Sequence, residues 1–268
     1  TKVILDLHDV IDPNWLTKER LNNVTLVHCK SEFHESLIKT DTSKIRVIPN
    51  GIDSKSFKKS KTVQRSKNII MSTSSPDRCL TALLRALPII RKEIPDTEVH
   101  WAYGFKSGIT KGGMEAHEDP EIQEWVKKTK DLITKTEGFV DLGRISHSEV
   151  VNLCKTSNVY AYGTLFPEID CISMTKAMAG GAIPVVTKCG ALTNKTKYIP
   201  KEASERSAIK PKLTYESLDY SIEGKEFDLW VQDIIRVCKS NIEEEQRDIM
   251  SKNVCVDYDW TNIILKWI

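Results

Sequence analysis

The chain has 268 residues, 40% of them hydrophobic and 28% charged, with a formal net charge of +2. This is the composition of an ordinary soluble globular protein, with room for one large α/β domain or one domain and part of a second. No apolar run approaches the ~18 residues that a membrane span requires, and charges of both signs are scattered, leaving no basic footprint for nucleic acid.

Residues 1–9 read as a strand and lack the charged start, apolar core and cleavage site of a signal peptide, so a cytoplasmic location is expected. Seven cysteines, Cys29, Cys79, Cys154, Cys171, Cys189, Cys238 and Cys255, occur without any Cys-x-x-Cys pair. They read as buried thiols of a reducing compartment, not as a disulfide frame or zinc site. The sequons at Asn23 and Asn194 then read as chance matches.

In chain order, β-branched runs predict strands at Val3–Leu7, Val24–His28, Ile45–Ile48, Ile69–Ser72, Val99–Tyr103, Phe139–Leu142, Val159–Tyr162 and Ile183–Thr187. Helical periodicity lies between them. Cys79–Ile94 aligns Leu80, Leu83, Leu84, Leu87 and Ile90. Pro120–Thr136 carries Ile122, Trp125, Val126 and Leu132, and His147–Thr156 carries Val150, Val151 and Leu153. Phe227–Cys238 is amphipathic, and Tyr258–Trp267 reads as a closing helix capped by Asp259 or Thr261. The fold class expected is α/β, a Rossmann-like parallel sheet with helices on both faces. Ligands of such sheets bind beyond the carboxyl ends of the strands.

Pro49-Asn50-Gly51-Ile52-Asp53 is a turn cluster, followed by the polar stretch Lys55–Lys67, whose Lys55, Lys58, Lys59 and Lys61 read as a solvated loop. The two or three strands before it are too few for an independent core. Three parts are expected: residues 1–50 as the remnant of an upstream domain, 51–250 as the main domain, and 251–268 as a closing helix.

Three segments carry chemistry. Tyr162-Gly163-Thr164-Leu165-Phe166-Pro167-Glu168-Ile169-Asp170-Cys171-Ile172-Ser173 runs from a strand through an acidic loop into a helix ended by Gly180-Gly181. A helix N-terminus at that edge is a natural anion site. Ser72-Thr73-Ser74-Ser75-Pro76-Asp77-Arg78 places hydroxyls and an Arg suited to phosphate before another helix. Leu5-Asp6-Leu7-His8-Asp9 ends a strand in a His capable of acid–base work. Gly143-Arg144 is a fourth, weaker candidate. Taken singly, these residues equally describe capped helices and polar loops. The remaining histidines lack metal-ligand spacing.

Together the segments resemble the GT-B glycosyltransferases of the retaining group that includes glycogen synthase, sucrose synthase and bacterial mannosyltransferases, in a bacterial or viral branch. The resemblance runs in order through His8-Asp9, Ser31-Glu32-Phe33-His34, Ile48-Pro49-Asn50-Gly51-Ile52-Asp53, Ser74-Ser75-Pro76-Asp77-Arg78, Phe166-Pro167-Glu168-Ile169-Asp170-Cys171-Ile172, Gly190-Ala191-Leu192 and Tyr258-Asp259-Trp260. It implies a donor-binding domain after the remnant of an acceptor domain, and transfer of a sugar from a nucleoside-diphosphate sugar to a glycan, lipid or protein acceptor with retention of configuration. Catalytic roles fall to Glu168 and His8. Donor binding falls to Ser74, Ser75, Arg78, Arg144, Glu168, Ile169, Asp170, Cys171, Ile172 and Lys176. The resemblance implies no metal and no cofactor, no nucleic-acid partner, and a missing N-terminal domain or partner chain to complete the acceptor side.

The sequence departs from the family pattern in three places. Lys176 stands where a ribose-binding Glu is usual, Ile169 and Cys171 replace glycines of the acidic loop, and Arg78-Cys79 replaces Lys-Gly. A non-catalytic nucleotide-sugar-binding or scaffolding module is the alternative function. A phosphorylase or epimerase of the same architecture is a third.

Overall fold

A computed structural model describes residues 2–12, 14–40, 42–58, 63–106, 113–204, 217–240 and 242–267. Lys59 and Lys61 of the basic loop lie outside them. The first sheet is parallel, in the order β1-β2-β3, with β1 at Ile4–Asp6, β2 at Leu26–Cys29 and β3 at Ile45–Val47. Its connections carry α1 (Lys18–Leu21) and α2 (Glu32–Ser36). The Ser31 hydroxyl caps α2 by accepting from the His34 N–H at 3.1 Å.

The second sheet contains β4 (Ile69–Ser72), β5 (Glu98–Ala102), β6 (Phe139–Gly143), β7 (Val159–Tyr162) and β8 (Ile183–Val186). These alternate with α3 (Pro76–Glu93), α4 (Pro120–Lys135), α5 (His147–Thr156) and α6 (Ile172–Ala179). All pairings are parallel, in the order β6-β5-β4-β7-β8. The chain continues through α7 (Leu192–Lys195), α8 (Lys201–Ser204), α9 (Gly224–Lys239), α10 (Glu244–Tyr258) and α11 (Trp260–Ile264). The expected α/β class and each expected strand are present, with ends moved by a residue or two.

Burial explains the patterning. Every residue of β7 and β8 is buried, so both read as continuous apolar runs. Pro184 is tolerated because β8 is the terminal strand of the described sheet, and the Trp230 indole of α9 donates to the Val185 carbonyl at 2.9 Å. Helix α3 divides its apolar residues between two cores. Leu83, Leu87 and Ile90 join the main cluster, whereas Leu80 and Leu84 pack with Trp101, Phe105 and Val126 on the other face. It begins at Pro76, a turn before the expected Cys79. Proline at the first helical position needs no N–H partner, so the helix starts before the apolar period does.

The C-terminal region is two helices, α10 and α11, meeting at Asp259. Asp259 caps α11 through the Thr261 N–H at 2.8 Å and accepts a hydrogen bond from the Ser54 hydroxyl. The backbone of Ile52 bonds Tyr258 at 2.7 Å and Trp260 at 3.1 Å. Gly51 is needed here, because a Cβ would sit 2.6 Å from the Trp260 ring. Beyond it, the Trp267 ring meets His28 of the first sheet edge-on at 4.4 Å.

The small core of the first sheet (Leu7, Leu16, Leu21, Val27 and Cys29) is accompanied by fully buried His34. Its Nδ1 accepts from the Lys30 N–H at 3.2 Å, and its Nε2 donates to the Asp9 carbonyl at 3.1 Å. That arrangement suits the neutral imidazole. Burial, aided by Lys30 and His28, holds it below its ordinary 6.5, against the opposing pull of Asp9. Below that value the unfolded chain takes up a proton that the folded chain refuses, so stability rises with pH through this window and is lost on acidification. From about pH 7 to about pH 5.5 the Tm of the parent protein is expected to fall more steeply than that of His34→Gln. Parallel pH profiles would refute this.

Candidate functional site

The strand order creates a switch point. From β4 the chain runs outward to β5 and β6, then returns to place β7 on the other side of β4. The loops leaving β4 and β7 therefore diverge and leave a crevice at their carboxyl ends. The Ser72–Arg78 and Tyr162–Ser173 segments are those loops.

On the β4 side, the Trp101 indole donates to the Ser74 carbonyl at 2.9 Å, and the Ser173 hydroxyl of α6 donates to the Thr73 carbonyl at 3.1 Å. Both bonds fix the loop. Arg78 lies in the first turn of α3, with Nε 3.1 Å from Asp77 Oδ2. Its guanidinium sits 3.0 Å from the centre of the Phe166 ring and 5.4 Å from that of Tyr220. Its Nη1 is buried without a hydrogen-bond partner among the described residues. A buried guanidinium nitrogen left unpaired is costly and suits an anion that completes its shell.

On the β7 side, Glu168 is half-buried and accepts from the Tyr162 hydroxyl at 2.5 Å. Burial pushes its carboxyl above the ordinary range, against the opposing pull of Tyr162, Arg78 and Lys195. The Glu168 carbonyl accepts from the Ala191 N–H at 2.7 Å. This close approach requires Gly190, whose φ is +53° and where a Cβ would lie 2.4 Å from that carbonyl oxygen.

Cys171 precedes α6 with φ of 61°, the one left-handed non-glycine among the described residues. The sequence lacks the family's glycines here, yet the backbone takes a conformation that glycine favours. A strained residue at a ligand-facing loop is a familiar sign of function. No side-chain hydrogen bond caps α6 at Cys171, and Ile172 and Ser173 of its first turn line the cleft.

Asp170 is differently engaged. One carboxylate oxygen meets Lys195 Nζ at 2.7 Å, and the other accepts from Asn50 N at 3.0 Å and Asn50 Nδ2 at 2.5 Å. Lys195 also donates to Thr175 Oγ1 at 2.7 Å and the Cys171 carbonyl at 3.2 Å. Burial pushes the Lys195 ammonium down, but Asp170, Tyr258 and Cys171 together more than offset it and the net shift is upward. Asp170 lines the cleft while its charge clamps the acidic loop to α7 and to the turn after β3.

Ser74, Ser75, Arg78, Glu168, Ile169, Asp170, Cys171, Ile172 and His8 all line one cleft of about 350 Å³. Arg144 and Lys176 line an adjoining space of about 260 Å³ that shares Thr73, Tyr103 and Ser173 with it. His8 faces the cleft from the first sheet, largely exposed, with Nε2 2.8 Å from Asp6 Oδ2. Asp6 is held in turn by His28 at 2.7 Å and buried Lys30 at 2.6 Å, and these partners keep its carboxyl below the ordinary range despite partial burial.

Sequence reading assigned no site role to Lys30, Asn50, Tyr162 or Lys195, although Tyr162 heads the acidic-loop segment and Asn50 stands in the turn cluster. Tyr162 reads as a core strand residue, and Lys195 lies inside a sequon with no local mark of its role. Among the described residues, no group of three or more His, Cys, Asp or Glu is arranged to hold a metal.

No family model and no curated protein matches the sequence. Solved structures do. A TarM variant from S. aureus, in complex with fondaparinux, α-GlcNAc-glycerol and UDP, matches 99% of this chain over 50% of its own at 13% identity and a TM-score of 0.66. Anabaena HepE in complex with UDP and glucose matches 99% of this chain over 70% of its own, at 15% identity and a TM-score of 0.66. A glycosyltransferase from Rickettsia africae matches 98% over 68%, at 14% identity and a TM-score of 0.68.

The fold is that of the GT-B glycosyltransferases. The chain spans half of TarM and about 70% of HepE. At these identities the likeness concerns the GT-B fold alone, and the chemistry rests on the residues just described.

Proposed function

We propose that the chain provides the donor half of a glycosyltransferase that moves a sugar from a nucleoside-diphosphate sugar to a glycan, lipid or protein acceptor with retention of configuration. The observation that carries this reading is convergence at the switch point. Arg78, the Ile172–Ser173 start of α6 and Glu168 all line one cleft. The first two suit a diphosphate, and Glu168 suits the sugar hydroxyls beyond it. Arg78 and the helix amides stabilise the leaving diphosphate, so no metal is needed for that charge. His8 addresses the reacting sugar from the facing sheet.

In this reading residues 1–50 belong to the acceptor side, 51–250 bind the donor, and 251–268 close back on the first sheet, with a further domain or partner chain completing the acceptor site. Among the described residues no helix is long and apolar enough to cross a membrane, and all seven cysteines are free thiols. Both suit work in the cytoplasm.

The test is calorimetry with UDP, GDP, ADP and TDP, followed by a donor-hydrolysis or transfer assay. Binding of one diphosphate, with turnover lost in Glu168→Gln, is expected. Binding without turnover would instead make the chain a non-catalytic nucleotide-sugar module. The absence of any nucleoside-diphosphate binding would overturn the proposal.

A further inference from the structure

We infer that Tyr162 is a positioning residue of the donor site: its hydroxyl holds one oxygen of the Glu168 carboxylate and sets that side chain for the sugar of the donor. This rests on the transferase reading above and deepens it.

Glu168 stands in the loop between β7 and α6, where a carboxylate loses rotamer freedom on binding unless it is already held. Three bonds hold it. Its N–H donates to the Phe166 carbonyl at 2.8 Å, and its own carbonyl accepts from the Ala191 N–H at 2.7 Å. The third bond, from the Tyr162 hydroxyl to Oε1 at 2.5 Å, reaches the carboxylate itself.

Tyr162 is built as an anchor. It ends β7 in register with Val186 of β8, and its carbonyl accepts from the Thr187 N–H at 3.2 Å. Its side chain is fully buried, with the ring 6.0 Å from that of Tyr160, yet it lines the cleft beside Glu168. The hydroxyl thus ties a carboxylate at the edge of a loop to the middle of the sheet.

The bond has one polarity. Burial, with the Glu168 charge beside it, pushes the Tyr162 phenol well above its ordinary range, so the phenol keeps its proton and the carboxylate accepts. A hydrogen bond to an ionised acceptor is stronger than a neutral one and favours the ionised form. Burial is the largest influence on Glu168 and drives its carboxyl up, and the Tyr162 hydroxyl is the largest of those that oppose it. Arg78 from α3 and Lys195 from α7 act in the same direction as Tyr162, and Asp170 acts against it. Tyr160 of β7, Cys171 of the loop and Cys189 after β8 also feel Glu168, and burial keeps all three protonated. Tyr162→Phe leaves these six groups in place and removes the hydroxyl alone.

Infrared difference spectroscopy on the unliganded full chain reads the pH at which Glu168 takes up its proton, from a carboxyl band assigned by its loss in Glu168→Gln. In Tyr162→Phe that pH is expected to rise by about one unit, the worth of one hydrogen bond to a charged group. A tyrosine fluorinated beside its hydroxyl and placed at position 162 is a stronger donor of nearly the same shape, and it should lower that pH. It also carries the test if Tyr162→Phe fails to fold. Packing alone would not move the two in opposite directions.

For whichever of UDP, GDP, ADP and TDP binds best, Tyr162→Phe should keep the Kd within about twofold, because Arg78 faces the phosphates. Turnover of the corresponding sugar donor should fall by about tenfold in kcat, with the acid limb of its pH profile moved up in step with the infrared midpoint. An unmoved midpoint in the variants, or a kcat and pH profile equal to the parent's, overturns the inference and leaves the diphosphate reading intact. If the parent protein binds none of these diphosphates, or binds without turnover, the transferase reading fails and takes this inference with it.

Discussion

Arg78→Ala is expected to weaken nucleoside-diphosphate binding by about 100-fold or more, while leaving the protein folded. The guanidinium is oriented before any ligand arrives, resting on Phe166 at 3.0 Å and tied to Asp77 at 3.1 Å. Such preorganisation removes an ordering cost that binding otherwise carries. Truncating one partner of a buried, hydrogen-bonded charge pair typically costs about 2–5 kcal/mol, which sets the size of the loss.

Stability should respond quite differently. Removing Arg78 loses a stacking contact of about 0.5–2 kcal/mol. It also removes a buried unpaired nitrogen, whose penalty is about 1–3 kcal/mol. The two nearly cancel, so Tm should change little. Arg78→Lys should not restore binding, since an ammonium cannot both stack on Phe166 and present a planar fork. Calorimetry beside thermal unfolding checks both halves. Full affinity in Arg78→Ala would remove Arg78 from the site.

Lys195→Met should have the opposite profile. Lys195 and Asp170 are each only 4% exposed in their side chains, so the substitution strands a carboxylate with Asn50 as its remaining partner. Breaking a buried pair in this way costs about 3–5 kcal/mol. For a chain of this size that corresponds to a fall in Tm on the order of 10 °C.

Lys195→Met combined with Asp170→Leu should recover much of the loss, because the stranded charge is gone. Donor binding should stay impaired in the double variant, since Asp170 no longer holds the acidic loop to Asn50. Thermal unfolding of the three variants tests this. A single variant as stable as the parent protein would show that the pair does not support the loop.

The departures from the family pattern look different once the backbone is known. Cys171 takes the left-handed φ of 61° without being glycine, so the turn into α6 is kept and the cost falls on one residue. Asp170, expected at the donor, spends its charge on Lys195 and Asn50. Its contribution to the cleft is the shape of the loop.

What the sequence by itself determined were the features encoded by neighbours along the chain. Apolar runs marked each strand of both sheets. The combination of Ser74, Ser75 and Arg78 before one helix, and of Glu168 before another, marked the two loops of the cleft. Period and capping are local effects, so a few residues suffice to specify them.

The tertiary structure decided what meets across the chain. Only the order β6-β5-β4-β7-β8 sets β4 beside β7, bringing Arg78 over Phe166. Only the folded chain joins Asn50 and Lys195 on Asp170, or rests Trp260 on Gly51. Polar groups removed from water must find partners wherever the fold supplies them. Those partners lie far away in sequence, where no local period can announce them.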